Sequence, residues 1–363
     1  MRTLLRLRRR LVFAALCALA LGPALPVPAR AAPPPAGGFA TAPSDASAAV
    51  ILMYHRFGEA KYPATNIRME QFRAHLHELA RPAYRVRPLP EIVEALRSGR
   101  PLPPRTVGLT IDDAYRSIYT QAWPLLKAAG LPFTIFVATE GVDRGYRELM
   151  SWAELRELVA SGLVTLGNHS VSHLHMADHG RARNVAELRQ ASARIEAETG
   201  RAPTLLAYPY GETSTNVRAV AEELRFAAAF GQQSGAIGTG MDELTLPRFA
   251  LNEHYGTLER FRLAVNALPL PVRDVIPQDP VLTSQNNPPL FGFTVAPEAG
   301  GLERLACYVA GQGRLALRAV GARRVEGRPG APLPPGRTRI NCTLPGPEGR
   351  WRWFGVQFYR PGS

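Results

Sequence analysis

The chain has 363 residues, 46% of them hydrophobic and 20% charged, which excludes wholesale disorder and leaves room for two domains. No apolar run reaches the roughly 20 residues of a membrane-spanning helix. The net charge of +13 does not mark a nucleic-acid binder: six arginines (Arg2, Arg6, Arg8, Arg9, Arg10, Arg30) lie in residues 1–31, which hold no acid, Lys61 and Lys127 are the only lysines, and no basic cluster is interleaved with aromatics.

Arg6 to Arg10, the apolar stretch Leu11–Leu21, three prolines and Ala29-Arg30-Ala31 read as a secretory signal peptide over 1–31, cut after Ala31. An uncleaved anchor is the alternative. Export to the periplasm or beyond is therefore expected, and residues 32–47 read as a Pro/Ala-rich tether. Cleavage removes Cys17 and leaves Cys307 and Cys342, which in an exported chain predicts a disulfide rather than two buried thiols.

From about 48 to 268, short apolar runs alternate with amphipathic ones. Strands are predicted at Ala49–Met53, Val107–Ile111, Phe133–Val137, Val164–Gly167, Thr204–Ala207 and Ala227–Phe230. Helices are predicted at Met69–Ala80, Pro90–Leu96, Ser117–Ala129, Ala153–Ser161, Asn184–Thr199 and Asn216–Leu224. Such alternation is the signature of a parallel α/β architecture, and six or seven units suit a barrel of the (β/α) type, complete or incomplete. An open doubly wound sheet is the alternative. Residues 269–289 carry enough proline to read as a linker. Residues 290–363 hold short strand-like runs between Gly/Pro turns, which predicts a small all-β, sandwich-like domain stapled by Cys307–Cys342. Its aromatics Trp351, Trp353, Phe354, Phe358 and Tyr359 read as core on one face rather than as a sugar platform.

The unusual polar residues fall at strand ends. Tyr54-His55, Asp112-Asp113, His169 and Tyr208-Pro209-Tyr210-Gly211 each follow a predicted strand. In a parallel barrel all those ends open on one face, where active sites are built. His169 and His173, four apart, would share one side of a helical turn, close enough to hold one metal. Adjacent aspartates resist joint ionisation unless a cation sits beside them. One can then ligate a divalent ion while its neighbour takes a proton from water. A cap on the following helix is the plain alternative for Asp112-Asp113. His175 and His179 run into a polar segment and read as solvated loop.

LTIDDAY (Leu109–Tyr115), GNHSVSH (Gly167–His173) and LLAYPYGE (Leu205–Glu212) resemble successive motifs of the polysaccharide deacetylase family, the NodB-homology carbohydrate esterases, over roughly residues 49–260. ILMYHRF (Ile51–Phe57) and MSWAEL (Met150–Leu155) also resemble exported members of that family, and the early Tyr54-His55 is similar to that of members acting on poly-N-acetylglucosamine. The resemblance implies a distorted (β/α) barrel and a divalent metal, zinc foremost with cobalt, nickel or iron also suited. It implies Asp113, His169 and His173 as ligands, Asp112 as general base, and the Tyr210 backbone N–H as oxyanion donor, with Tyr208 and Pro209 near an acetylated polysaccharide or oligosaccharide substrate. Two departures stand out. The arginine that orients the catalytic aspartate in the third motif is replaced by Ala207, and Arg248 is the candidate to supply it from another strand. The late Leu-x-His is matched only loosely by Leu251-Asn252-Glu253-His254, so His55, at a strand end, is the better candidate general acid. N-deacetylation of the glycan is the expected activity, O-acetyl ester hydrolysis or non-catalytic carbohydrate binding the alternatives.

Overall fold

The runs read as strands come together in one curled sheet. The computed structural model describes residues 48–362, so the expected signal peptide and tether lie outside the described residues. The sheet contains β1 (Ala48–Tyr54), β2 (Thr106–Asp112), β3 (Phe133–Val137), β4 (Val164–Asn168), β5 (Leu205–Ala207), β6 (Ala228–Phe230), β7 (Ile237–Gly238) and β8 (Phe249–Ala250). They pair in the order β7-β1-β2-β3-β4-β5-β6, parallel except for β7, and β8 runs parallel to the end of β1. β1, β2 and β3 are buried at every position, as parallel strands covered on both faces must be.

Around the sheet lie α1 (Met69–Leu79), α2 (Leu89–Ser98), α3 (Trp123–Ala128), α4 (Thr139–Asp143), α5 (Trp152–Ala160), α6 (Arg181–Thr199), α7 (Thr215–Glu223) and α8 (Leu258–Val265). The helix expected over Ser117–Ala129 is a π-turn through Ile118–Ala122 and α-helical only from Trp123. Pro124 has no N–H to give to the preceding turn, so a regular α-helix cannot run through it. The short α4 and α8 show too few periods to be visible in the sequence.

Ring closure depends on one short run. Leu246 bridges Phe230 at the end of β6, and three residues later β8 pairs with Leu52 and Met53 of β1. The segment Leu246–Ala250 thereby laces the last long strand to the first. The result is a distorted (β/α) barrel, not an open doubly wound sheet.

The proline-rich segment 269–289 is not the irregular linker expected. Leu268–Pro269 (β9) pairs with the last strand of the chain, and Val272–Ile276 (β10) pairs antiparallel with Phe291–Val295 (β11). Prolines sit at the ends of these pieces, leaving the intervening N–H groups free to pair. The other strands of this C-terminal unit are β12 (Ala306–Val309), β13 (Gly313–Arg314), β14 (Arg318–Ala319), β15 (Arg324–Gly327), β16 (Gly336–Pro345) and β17 (Trp351–Arg360). They form two sheets, β9-β17-β16-β12-β13 and β10-β11-β15-β14. Phe291, Phe293 and Val295 of one meet Ile340, Leu344 and Phe358 of the other in a shared core, which makes the unit a sandwich. Cys307 and Cys342 face each other in register on β12 and β16 and are disulfide-bonded. Of the aromatics, Phe354 and Phe358 belong to this core, whereas Trp353 packs edge-on against Phe249 of the barrel. Among the described residues no helix is long and apolar enough to cross a membrane.

One buried histidine ties the barrel rim together. His75 of α1 stacks on Phe261 of α8 at 4.0 Å, and its Nε2 lies 2.8 Å from the Gly256 carbonyl. A carbonyl only accepts, so Nε2 carries the proton and Nδ1 accepts from the Tyr54 hydroxyl at 3.0 Å. Burial pushes the imidazole down to about 4, only partly offset by the Gly256 bond.

Two expectations follow for stability. A histidine neutral when folded but titrating near 6.5 when unfolded stabilises the fold fully above that pH, and the contribution is lost as pH falls towards 4. Urea unfolding at pH 7 and pH 4.5 should show wild type losing roughly 2–3 kcal/mol more than His75→Gln. Replacing both Cys307 and Cys342 by serine should cost about 3–4 kcal/mol by the loop-closure argument, read as a lowered urea midpoint.

Candidate active site

Two adjacent carboxylates at the end of β2 are sent to different partners by the backbone. Asp113 and Ala114 have left-handed φ of 74° and 57°, and the Asp113 N–H donates to the Phe136 carbonyl at 3.0 Å. The strand therefore stops at Asp112 and turns sharply. Asp112 faces Arg248 and His55, and Asp113 faces two histidines.

His169 follows β4, and its Nδ1 lies 2.7 Å from the Ala207 carbonyl. That bond takes the ring proton and leaves a lone pair on Nε2, which points at Asp113 Oδ1 from 3.3 Å. His173 Nε2 lies 3.2 Å from the same oxygen. Asp113 Oδ1 and His169 Nε2 are buried with no hydrogen-bond partner, and such orphaned atoms each cost about 1–3 kcal/mol. The candidate ligand atoms of Asp113, His169 and His173 all lie within 4.8 Å of one another. One carboxylate oxygen and two imidazole nitrogens converging with unused lone pairs fit a divalent cation. Burial opposes charge on His169, but Asp113 and Asp112 outweigh it and draw the ring's pKa upward. The pocket favours positive charge.

The His-x-x-x-His spacing does not act through a helical turn as expected. Residues 169–175 form a loop, with Ser170 and His173 in left-handed conformations at φ 64° and 53°. Glu187 of α6 holds it: its Oε2 accepts from the Val171 and Ser172 N–H groups at 3.0 and 2.9 Å. The Asn168 side chain accepts from the Ser170 N–H at 2.8 Å, and the Ser170 hydroxyl from the His173 N–H at 3.0 Å.

Arg248 reaches Asp112 from the lacing run. Its Nη1 and Nη2 donate to the two carboxylate oxygens at 2.7 and 2.8 Å. Nη1 also meets Thr110 Oγ1 at 3.1 Å, and Nε donates to the Gly231 carbonyl at 3.0 Å. Both side chains are 0% exposed. Burial alone would raise the Asp112 carboxyl, but the Arg248 charge and His169 outweigh it and hold it below the ordinary carboxylate range. Asp112 is thus anionic although buried.

His55 Nε2 stands 3.9 Å from Asp112 Oδ2. Burial lowers its pKa, and the attraction of Asp113 and Asp112 does not restore it, so the ring is neutral. Tyr210 lies in the turn after β5 with a left-handed φ of 59°, its ring edge-on to His173 at 4.4 Å. Tyr208 and Pro209, expected at the substrate, are buried instead. The Tyr208 hydroxyl donates to the Leu244 carbonyl at 2.9 Å, and its ring belongs to the core beneath α6 and α7, so it shapes the turn and cannot touch a ligand. His254 sits after β8 with its ring against Tyr255, and the neighbouring Glu253 accepts from Asn66 at 2.6 Å.

Two further groups stand beside this cluster. His175, set aside as solvated loop, stacks on Tyr210 at 4.0 Å and pairs with buried Glu212 at 2.8 Å. Glu187 leaves no trace in the sequence, because a glutamate in an amphipathic helix carries no signal of a loop fifteen residues away.

Residues 99–229 match the family model for polysaccharide deacetylase. That match marks a polysaccharide deacetylase domain within the barrel. The poly-beta-1,6-N-acetyl-D-glucosamine N-deacetylase of Escherichia coli K12 is 26% identical over 214 residues, 47% of this chain and 31% of that protein. The protein of the same name from Staphylococcus aureus MRSA252 is 20% identical over 232 residues, 57% of this chain and 80% of that one. The chain thus spans less than a third of the Escherichia coli relative. Among solved structures, the Streptococcus pyogenes deacetylase PplD in complex with acetate superposes with a TM-score of 0.56 at 21% identity, covering 61% of this chain and 99% of that one. IcaB from Ammonifex degensii gives 0.51 at 23%, covering 59% and 96%. The barrel fold is the shared element.

Removing one partner of a buried ion pair strands the other. Arg248→Met should therefore destabilise the protein by roughly 3–5 kcal/mol in urea unfolding. Arg248→Lys, which keeps charge but not the two-pronged grip, should recover part of that loss.

Proposed function

We propose that this protein is a metal-dependent hydrolase that removes acetyl groups from N-acetylated sugars of a polysaccharide. The observation that carries the proposal is the buried, anionic Asp112, gripped by Arg248 next to the convergent donors of Asp113, His169 and His173. A carbohydrate-binding protein that kept only a metal cradle has no use for a second carboxylate held ionised at such cost. The named activity of the Escherichia coli and Staphylococcus aureus relatives supports an N-acetylglucosamine polymer as the substrate class.

A divalent cation held by Asp113, His169 and His173 acidifies water and polarises a carbonyl. Zinc suits this donor set, as do cobalt, nickel and iron. Asp112 takes a proton from the attacking water while Arg248 fixes its orientation. The Tyr210 N–H stabilises negative charge on the acetyl oxygen. Asp112 hands the proton it has taken to the neutral His55 ring, which passes it to the sugar nitrogen. The C–N bond breaks, and acetate and a free amine leave. The Cys307–Cys342 disulfide supports an oxidising compartment, in line with export through residues 1–31. Residues 48–268 form the catalytic domain in this reading, with the sandwich appended.

Acetate release from β-1,6-linked N-acetylglucosamine oligomers tests the proposal, with an O-acetylated glycan as the second substrate. The zinc-loaded wild type should act on the first. Asp112→Asn should keep its metal and lose at least a hundredfold in turnover; His173→Ala should lose both. Release from neither substrate refutes the hydrolase reading, and release from the ester alone reassigns the bond broken.

A further inference from the structure

The sandwich is not a passive appendage. Along β16 and β17 the side chains alternate. One face, including Ile340, Cys342 and Phe358, fills the sandwich core. The opposite face carries Arg337, Arg339, Gln357 and Tyr359 as cross-strand pairs, Arg337 opposite Tyr359 and Arg339 opposite Gln357. These four side chains reach the barrel rim.

Gln357 Nε2 donates to the Tyr210 carbonyl at 3.0 Å. Gln357 Oε1 accepts from Arg339 Nε at 3.1 Å, and Arg339 Nη2 reaches Gln232 Oε1 at 3.3 Å. Gln232 follows β6 and lies directly beneath the Tyr210 turn: a Cβ on Gly211 would fall 2.4 Å from its backbone nitrogen. The contacts close a circuit from the turn to the sandwich and back to the barrel. The Tyr210 ring is also gripped. Arg337 lies over one side at 5.1 Å and His175 stacks on it at 4.0 Å, while the Tyr359 hydroxyl donates to Asp178 at 2.7 Å beside them. At Gly355 the hairpin comes so near that a Cβ would sit 2.2 Å from the Ser234 carbonyl oxygen.

Tyr210 holds a left-handed backbone, a conformation that costs a non-glycine residue about 1–3 kcal/mol and persists only where surroundings impose it. The turn is a single short 3-10 turn over Pro209–Gly211, and the hairpin bonds to its backbone from outside the barrel. We infer that the β16–β17 hairpin completes the active site by clamping the Tyr210 turn, with Gln357 as a positioning residue that fixes the backbone carrying the oxyanion-binding N–H. The inference rests on the deacetylase reading for its catalytic consequence, but the clamp itself is a structural property measurable without substrate. It assigns the sandwich a role in turnover rather than in binding glycan.

The test uses the full chain loaded with zinc. Gln357→Glu keeps the shape and the acceptor for Arg339 but has no N–H for the Tyr210 carbonyl; Gln357→Met serves if that variant folds poorly. The variant should show about tenfold faster amide exchange across residues 208–212, the loss of one hydrogen bond of about 1.4 kcal/mol, with exchange in β1, β2 and β3 unchanged. Its kcat for acetate release should fall ten- to a hundredfold, with KM and bound zinc within twofold of wild type. A merely structural role for Gln357 would lower the melting temperature and leave kcat per zinc-loaded molecule intact. An inactive wild type would refute the deacetylase reading, and the exchange result would then decide the clamp alone. Unchanged exchange at 208–212, or unchanged kcat where the wild type is active, overturns the inference.

Discussion

Burying a carboxylate without neutralising it requires a compensating charge with its own hydrogen bonds satisfied, and in this barrel Arg248 meets that requirement. Asp112 has no exposed surface, yet both its oxygens are met by guanidinium donors. The guanidinium in turn gives further donors to Thr110 and Gly231. Arg248 lies in the run that joins β6 to β1, so the element that closes the barrel also delivers the charge. Ring closure and the ionisation state of Asp112 are consequences of one segment. A pair of this kind adds little net stability compared with an apolar core, but losing either member is severe.

The rim around that pair is held in unfavourable backbone conformations. Asp113, Ala114, Ser170, His173 and Tyr210 are five of the nine non-glycine residues with left-handed φ among the described residues, and all five belong to the loops that bear the candidate ligands and the oxyanion donor. Each loop has its own external restraint. Glu187 holds the histidine loop, the Phe136 carbonyl holds the turn at Asp113, and the sandwich holds Tyr210. Strain concentrated at one rim and restrained from three directions is what a preorganised site requires.

Much of this was legible in the sequence because it depends on short-range pattern. Six strand runs and the order in which they alternate with helices imply a parallel barrel, and the barrel places every strand end on one face. Asp112, Asp113 and His169 could be grouped on that ground, and Arg248 could be nominated because Ala207 stands where an arginine was expected. Other features depend on distant neighbours. Pro269 and Pro271 hid the strand at Val272–Ile276, whose partner lies fifteen or more residues on. Tyr208 reads as a substrate contact by its place in the third motif, but its ring lies in the core and its hydroxyl donates to the Leu244 carbonyl. Gln357 and Glu187 are unremarkable in a strand and a helix, and only packing reveals what their side chains hold.

Sequence alone shows how the chain's charge of +13 is distributed, with six arginines and no acid in residues 1–31. Sequence also determined the chemistry available at the rim, since residue type and strand-end position decide which lone pairs and protons can converge. Tertiary structure decided the rest: which aspartate meets the arginine, which histidine nitrogen is free, and that a hairpin more than a hundred residues downstream holds the Tyr210 turn. Those outcomes are set by backbone direction and by contacts between segments far apart in the chain, and neither is written in local pattern.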